Sequence, residues 1–511
     1  MQPINSLSSR RNKVALALLA GLLYGASFSY AGPFLSLIAL CALLYVALQA
    51  DTARSAFVFS FLFWVPGFAF GLRWLYDSIV HYGGVSPVFG VAGLLCFAAY
   101  LSCFASAASA LAARWTPRGG AARLLALVSL IGLAEWVRAS AGAFGWLSPG
   151  YALLDTPVAH WAAVGGIGLV NAVWLSTAAL IVRLCCLPGR KRWAAMWLAL
   201  ILASSWGVQA LRWSTPATRS QWHVVQPDLP VTTHPTAAEN DVRIAKMLRY
   251  AEQRWPAKAE TGRALLLPEG VVSIPYSHLL SGARSGLEAL VREASAPVLF
   301  TALRLDGGRV YNSAFWFDGR VDEVVDKRRL VPFGEYVPGL LRWLPELFGV
   351  AIGDMTPGDE RAPSPYFVGD TPVAVLICYE NLFGDLLPSF WQSGRAPELF
   401  VVTSNLAWFG ASVVKQHLDM TRLRAIESAR PFLSVNNNGG SALVAPDGAL
   451  LARLSMGQAS AFWEVTGATG RSTPFLRFGE APALLLFAAS VAAALALARR
   501  ARRQTPRAEG L

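Results

Sequence analysis

A chain of 511 residues with 54% hydrophobic side chains, only 15% charged ones and 18 Trp is far too apolar for an ordinary water-soluble protein of this length. The formal net charge of +12 does not point to nucleic acid, because many of the Lys and Arg stand in short clusters beside apolar runs, which is how membrane topology is set. The composition therefore reads as a membrane protein with no nucleic-acid partner.

In chain order, residues 14–30, 34–50, 55–72, 86–112, 122–138, 159–184 and 193–211 are apolar runs, mostly long enough to cross a hydrocarbon layer of about 30 Å as helices. They predict a transmembrane domain of about seven helices over residues 1–212. The first run follows Arg10, Arg11 and Lys13 in the manner of a signal peptide, but no convincing cleavage site precedes the next span, so it is read as retained. Positively charged loops stay in the cytoplasm. Arg54, the group Arg114, Arg118 and Arg123, and the group Arg183, Arg190, Lys191 and Arg192 fall on the same side as the N-terminus. Seven crossings then place residue 213 outside, and an eighth run, 481–498, returns the chain to Arg499, Arg500, Arg502 and Arg503 in a cytoplasmic tail, 499–511. Both termini are thus expected inside, with residues 213–470 extracytoplasmic.

That outer segment changes character. Strands are predicted at Ala264–Pro268, Pro297–Leu305, Val310–Phe317, Thr371–Cys378, Pro397–Thr403, Phe432–Asn436 and Ala442–Ala445, and helices at Asp241–Gln253, Ser285–Ala294 and Lys415–Arg430. The mixture predicts an α/β layered sandwich, with a hairpin turn at Asp447 and Gly448. No metal-ligand spacing and no phosphate-cradling glycine loop is seen in the sequence.

Of six cysteines, Cys41, Cys96, Cys103, Cys185 and Cys186 fall in or at the edge of apolar spans, and Cys378 alone belongs to the polar segment. A thiol without an obvious disulfide partner, at the end of the β-branched run TPVAVLI, is placed as an exposed nucleophile would be. It needs a base and a cation. Glu269 follows the apolar LLLP and can serve as base; Lys327 follows VVD and can face a developing oxyanion. Each is weak alone, and a surface ion pair is the bland alternative. A Cys–His pair using His278 or His417 is the competing arrangement, though neither His sits at a strand end.

The segments LLLPEG, DKRRLVPFGEYVP, VLICYE and NLAWFG resemble the Glu, Lys and Cys motifs of the nitrilase superfamily. Joined to multiple N-terminal spans, and with WLYDSIVHYGG, LAEWVRA and GWLSPGYA, they resemble the bacterial apolipoprotein N-acyltransferases over nearly the whole chain. The resemblance implies a nitrilase-like α-β-β-α sandwich inserted before the last transmembrane helix of a membrane α-helical bundle. It implies catalytic roles for Glu269 (base), Lys327 (steadying the tetrahedral intermediate) and Cys378 (acyl carrier), with Glu335, Tyr379 and Glu380 in support. Trp408, Phe409 and Trp146 are the candidate substrate-binding residues. The implied reaction moves a phospholipid sn-1 acyl chain through a Cys thioester to the α-amine of a diacylglyceryl-modified apolipoprotein, without metal or cofactor, at the bacterial inner membrane with the catalytic domain periplasmic. A monomer is expected. Pro227, Asp228, His234 and Leu406 depart from the family pattern and bear on substrate range.

Two other readings differ in class: a membrane-anchored nitrilase-like hydrolase that gives its acyl group to water, and a polytopic scaffold or transporter whose outer domain only binds. Two further expectations are specific. Glu135 and Arg138, at helical spacing in a span, form a structural ion pair. Gly339–Met355, unusually apolar outside a span, is a mobile arm over the acyl chains, with a packed helix as the alternative.

Overall fold

A computed structural model describes residues 9–30, 32–141, 144–189, 191–232, 236–252, 262–339, 353–392 and 394–504. Residues 340–352, nearly all of the proposed arm, and His234 lie outside them. The chain divides into two compact units: Met1–Tyr76, Pro87–Leu211 and Phe478–Leu511 form one, and Asp77–Ser86 with Arg212–Arg477 forms the other.

The first unit is helical. Helices run over Arg10–Ala26, Gly32–Leu48, Ala53–Gly71, Pro87–Trp115, Ala121–Ser140, Ala162–Cys186, Arg192–Ala210 and Ala481–Gln504, one for each apolar run of the sequence. Among the described residues, five are long and apolar enough to cross a membrane: Ala53–Gly71, Pro87–Trp115, Pro157–Cys186, Arg192–Ala210 and Ala481–Arg503. The others are short, or, like Ala121–Ser140, carry Arg123, Glu135 and Arg138. Small residues let the helices approach. A Cβ on Gly21 would collide with the Phe63 carbonyl of the facing helix. Inside the unit, Arg138 Nη2 lies 2.6 Å from Glu135 Oε2, and its Nη1 donates to the carbonyls of Phe144 (2.6 Å) and Trp146 (2.9 Å). The expected pair is therefore formed, and it also braces the turn that carries Trp146.

The second unit is built on two six-stranded sheets. The first has the order β12-β1-β2-β3-β4-β5, with β1 Thr215–Gln226, β2 Arg263–Leu266, β3 Val298–Asp306, β4 Arg309–Phe317, β5 Val321–Asp326 and β12 Ala459–Thr469. The second has the order β11-β10-β9-β8-β7-β6, with β6 Tyr366–Val368, β7 Thr371–Ile377, β8 Leu399–Ser404, β9 Phe432–Asn436, β10 Ala442–Val444 and β11 Leu450–Arg453. Strand side chains alternate faces. Ala264, Leu266 and Trp316 accordingly meet Val373, Val375 and Ile377 between the sheets. Leu265, Leu267, Phe300 and Phe315 face the other way, onto the helices Ala237–Glu252 and Ser281–Ala294. Leu376, Phe400 and Val402 pack with Leu418 and Ala425 of the helix Ser412–Ser428. The result is the four-layer α-β-β-α arrangement. β7, β8 and β9 are mutually parallel, so their carboxyl ends, where ligands bind in such sheets, lie together.

The sequence expectation differs at several places. β2 ends at Leu266, so Glu269 stands three residues beyond its strand. Cys378 is outside β7: its φ of 48° takes the backbone into the left-handed region, where a ladder cannot continue. The strands β1, β6 and β12 were not expected, because β12 pairs with β1 from the far end of the unit and β6 has three residues.

Candidate active site

Each element delivers its residue at a carboxyl end. β5 stops at Asp326 and Lys327 comes next, its N–H bonded to the Asn312 carbonyl of β4 (2.8 Å). β7 stops at Ile377 and Cys378 turns into a short 3-10 segment, Cys378–Leu382. A left-handed non-glycine residue costs about 1–3 kcal/mol and persists only where its surroundings fix it. Here they do. Glu380 Oε2 accepts the Ile377 N–H (2.8 Å), and His417 Nε2 lies 3.3 Å from the Cys378 carbonyl oxygen.

The side chains then converge. Lys327 is buried, with Nζ 2.8 Å from Glu335 Oε1 and 3.5 Å from Glu269 Oε1. Asn312 Nδ2 bridges the same two carboxylates, donating to Glu269 Oε1 (2.8 Å) and Glu335 Oε1 (2.7 Å). Glu335 Oε2 takes the Val331 N–H (2.8 Å), and Glu269 Oε2 takes the Asn405 N–H (3.1 Å). Glu335 is thus held by the ammonium, an amide and a backbone donor at close range. Glu269 has the longer approach to Lys327, and its charge bears on the Cys378 thiol.

Burial, and then the charge of Glu269, push the Cys378 thiol up, with Lys327 opposing. The sulfur rests protonated, so nucleophilic attack from it requires a base in contact. Burial alone would strip the Lys327 proton, but Glu335, Glu269 and Cys378 more than compensate and hold it above its ordinary value. It is a permanent cation. Glu380 ties the elements that carry Lys327 and Cys378: it accepts the Arg328 N–H (2.7 Å) beside Lys327 and the Ile377 N–H beside Cys378, and Arg328 Nε stands 3.7 Å away. Burial raises the Tyr379 phenol, which packs edge-on against Phe383.

The structure brings Glu269, Lys327, Cys378 and Glu335 together, with Glu380 behind them. Trp408 and Phe409 are half-buried in the turn Leu406–Phe409 after β8, the strand beside β7. Trp146 belongs to the helical unit, buried against Trp74 at 4.9 Å. His278 lies in a short 3-10 segment, Tyr276–His278. His417 is near Cys378 but meets its carbonyl, and burial drives the imidazole down to about 4, so it is no thiol base in the resting site. Asn312 was missed: a lone Asn in RVYNSAFWF reads as an ordinary strand residue, and its one signal is a polar side chain opening an apolar half-strand.

Residues 20–180 match a family model described as the apolipoprotein N-acyltransferase N-terminal domain, and 233–462 match one described as carbon-nitrogen hydrolase. An apolipoprotein N-acyltransferase of Ralstonia nicotianae is 32% identical over 97% of this chain and 95% of its own. That of Bordetella bronchiseptica is 32% identical over 91% of this chain and 92% of its own. The chain belongs to the apolipoprotein N-acyltransferase family. Among solved structures, Saccharomyces cerevisiae Nit3, a member of branch 10 of the nitrilase superfamily, is similar at 16% identity over 58% of this chain and 98% of that one, with a TM-score of 0.37. In this N-acyltransferase-family chain the two matched regions correspond to helices fit for a membrane and to a carbon-nitrogen hydrolase sandwich.

Proposed function

We propose that this membrane protein transfers an acyl chain from the sn-1 ester of a phospholipid to the α-amine of a diacylglyceryl-modified apolipoprotein, through a thioester on Cys378. The observation that carries the chemistry is Lys327 held between Glu269 and Glu335, close enough to the Cys378 thiol that the charges of all three bear on it. Glu269 takes the thiol proton as sulfur attacks the ester carbonyl, and Lys327 faces the oxyanion of the tetrahedral intermediate. Collapse expels the lysophospholipid alkoxide, which receives that proton from Glu269. In the second half the acceptor amine attacks the thioester, Glu269 takes the proton the nitrogen sheds, and the leaving thiolate recovers it. The proton balance closes on one carboxylate, while Glu335 stays bound to Lys327.

The family's relatives support this reading over hydrolysis, because the matched relatives are named for N-acyl transfer along nearly their whole length. The placement of Lys and Arg supports residues 213–470 as the periplasmic catalytic domain, with both termini cytoplasmic. A monomer suffices, since Glu269, Lys327, Glu335 and Cys378 all come from one chain.

Protein mixed with phospholipid but no acceptor is expected to accumulate acylated Cys378 to near stoichiometry, releasing one lysophospholipid per protein, as intact-mass measurement will detect. A diacylglyceryl-cysteine peptide with a free amine discharges it, and the same peptide acetylated at that amine does not. Continuous release of free fatty acid without acceptor identifies a hydrolase instead. Labelling of engineered exposed cysteines by an impermeant reagent from the periplasmic side tests the orientation.

A further inference from the structure

The residues Asp77–Ser86 lie in sequence between the helices Ala53–Gly71 and Pro87–Trp115, yet they pack within the sandwich unit. They contain a π turn, Ser78–Tyr82, closed by the Gly83 N–H on the Ser78 carbonyl (3.1 Å). A π turn closes on i→i+5 and brings residues five apart toward one face, whereas an α-helix at 3.6 residues per turn swings them apart. Asp77 and Tyr82 are five apart, and both meet the turn that follows β8. The Tyr82 hydroxyl donates to the Ala407 carbonyl (3.0 Å), and its ring meets Trp408 edge-on with centroids 5.2 Å apart. At the far end of the same turn Gly410 has φ 69°, and a Cβ there would stand 3.1 Å from Asp77 Oδ2.

This turn reaches the proposed catalytic base. Asn405, its first residue, donates its N–H to Glu269 Oε2 (3.1 Å) and accepts the Ala407 N–H on its side-chain oxygen (3.3 Å). Gly270, next to Glu269, has φ 80° and packs so closely on Asn405 that a Cβ would meet Asn405 Nδ2 at 2.6 Å. Three hydrogen bonds therefore join the Tyr82 hydroxyl to the Glu269 carboxylate by way of Ala407 and Asn405. The same turn presents Trp408 and Phe409, half-buried, at the end of the strand that pairs with β7 and so beside the Cys378 end.

We infer that Tyr82 is a positioning and specificity residue for the acyl transfer proposed above, an inference that rests on that reading. Its hydroxyl fixes the turn that orients Glu269, and its ring sets the face of Trp408 that the acyl chain meets. The π turn is the device that lets one short segment grip the turn at Ala407 and Gly410 together. A wide helical turn of this kind, unfavourable in itself, is commonly found at functional sites.

The test uses the full chain in phospholipid-containing micelles, with donors of defined sn-1 chain length. Wild-type protein is assayed first: if it forms no thioester, the reading of function fails and Tyr82 is not the reason. Given wild-type acylation, Tyr82→Phe is expected to slow thioester formation per folded protein about three- to tenfold, the effect of one net hydrogen bond, with KM and the ranking of chain lengths kept. Tyr82→Leu, which also removes the aromatic edge, is expected to change that ranking. Folded protein is counted by its thermal transition in the same micelles. Rates per folded protein equal to wild type in both variants, or a Tyr82→Leu loss that is the same for every chain length, overturn the inference.

Discussion

In the helical unit Glu135 and Arg138 form a buried pair with one charge of each sign, and the spare guanidinium donors go to the carbonyls of Phe144 and Trp146. In the sandwich unit Lys327 is as deeply buried, but it faces two carboxylates, Glu269 and Glu335, with the amide of Asn312 bridging them. The first set is balanced and its donors are spent on backbone. The second carries one carboxylate in excess beside a protonated thiol, and that excess is what a mobile proton would cancel. In the reaction proposed above, that excess is where the proton given up by Cys378 goes.

The largest effect that tests this contrast is at the thiol. Cys378→Ala is expected to abolish turnover in an N-acylation assay while the protein remains inserted and folded, because a single small change at a strand end removes the nucleophile and little packing. Cys378→Ser is expected to be inactive as well, since a hydroxyl is a much poorer nucleophile near neutral pH. Substantial N-acylation by the Ala variant would falsify the assignment.

Next come the charges around it. Glu269→Gln keeps the shape and the hydrogen bond from Asn312 but cannot take a proton, so acylation of Cys378 is expected to fall on the order of 10²–10⁴-fold. Lys327→Met removes the cation facing the oxyanion, for a loss on the order of 10²–10³-fold. Both are read as the rate of thioester formation by quenched mass measurement. Normal rates in both variants would mean that the cluster is structural, like the pair in the helical unit.

Those residues were legible because strands advertise their ends. TPVAVLI stops at Cys378, VVD at Lys327 and LLLP at Glu269, each an apolar run broken by a reactive side chain. The left-handed turn at Cys378 was not legible, since Cys has no preference for it and of the two staples that hold it, Glu380 lies in the same short segment while His417 comes from a distant helix. Asn312 escaped for the same reason: what makes it special is that Glu269 and Glu335, 43 and 23 residues away in sequence, arrive on its one amide nitrogen. The helices were readable throughout, because a long apolar run states its own length. The strand β1 and the edge strand β12 were not, because their polar outer residues hide a pairing made across most of the unit.

In the balanced pair the effect moves from rate to stability. Arg138→Met leaves Glu135 buried without its partner, and a loss of about 3–5 kcal/mol in unfolding free energy is expected, measured in detergent. The double change Glu135→Leu with Arg138→Met should recover most of it, because the charge is removed along with its need for compensation. A double variant as unstable as the single one would show that bracing the Phe144–Trp146 turn, and not charge balance, is the main role of Arg138.

His417 offers the smallest and most conditional effect, as a buried titratable group with no ion-pair partner among the described residues. Its Nε2 lies 3.3 Å from both the Cys378 carbonyl oxygen and Ser404 Oγ, and Nδ1 has no hydrogen-bond partner among the described residues. Burial, reinforced by the charge of Lys327, lowers its pKa to about 4. In the unfolded chain the same imidazole titrates near 6.5. Above about pH 6.5 both states hold it neutral and pH has no leverage through this residue. Between there and about pH 4 the unfolded chain binds a proton that the folded one refuses, so stability falls as pH falls and levels off below the folded value. The whole window amounts to about 3 kcal/mol. His417→Gln should flatten that share of the slope, so unfolding measured at pH 7 and pH 4 in the same detergent should cost wild type about 3 kcal/mol more than the variant. Equal losses in the two proteins would show that His417 accepts a proton in the folded state as readily as in the unfolded one.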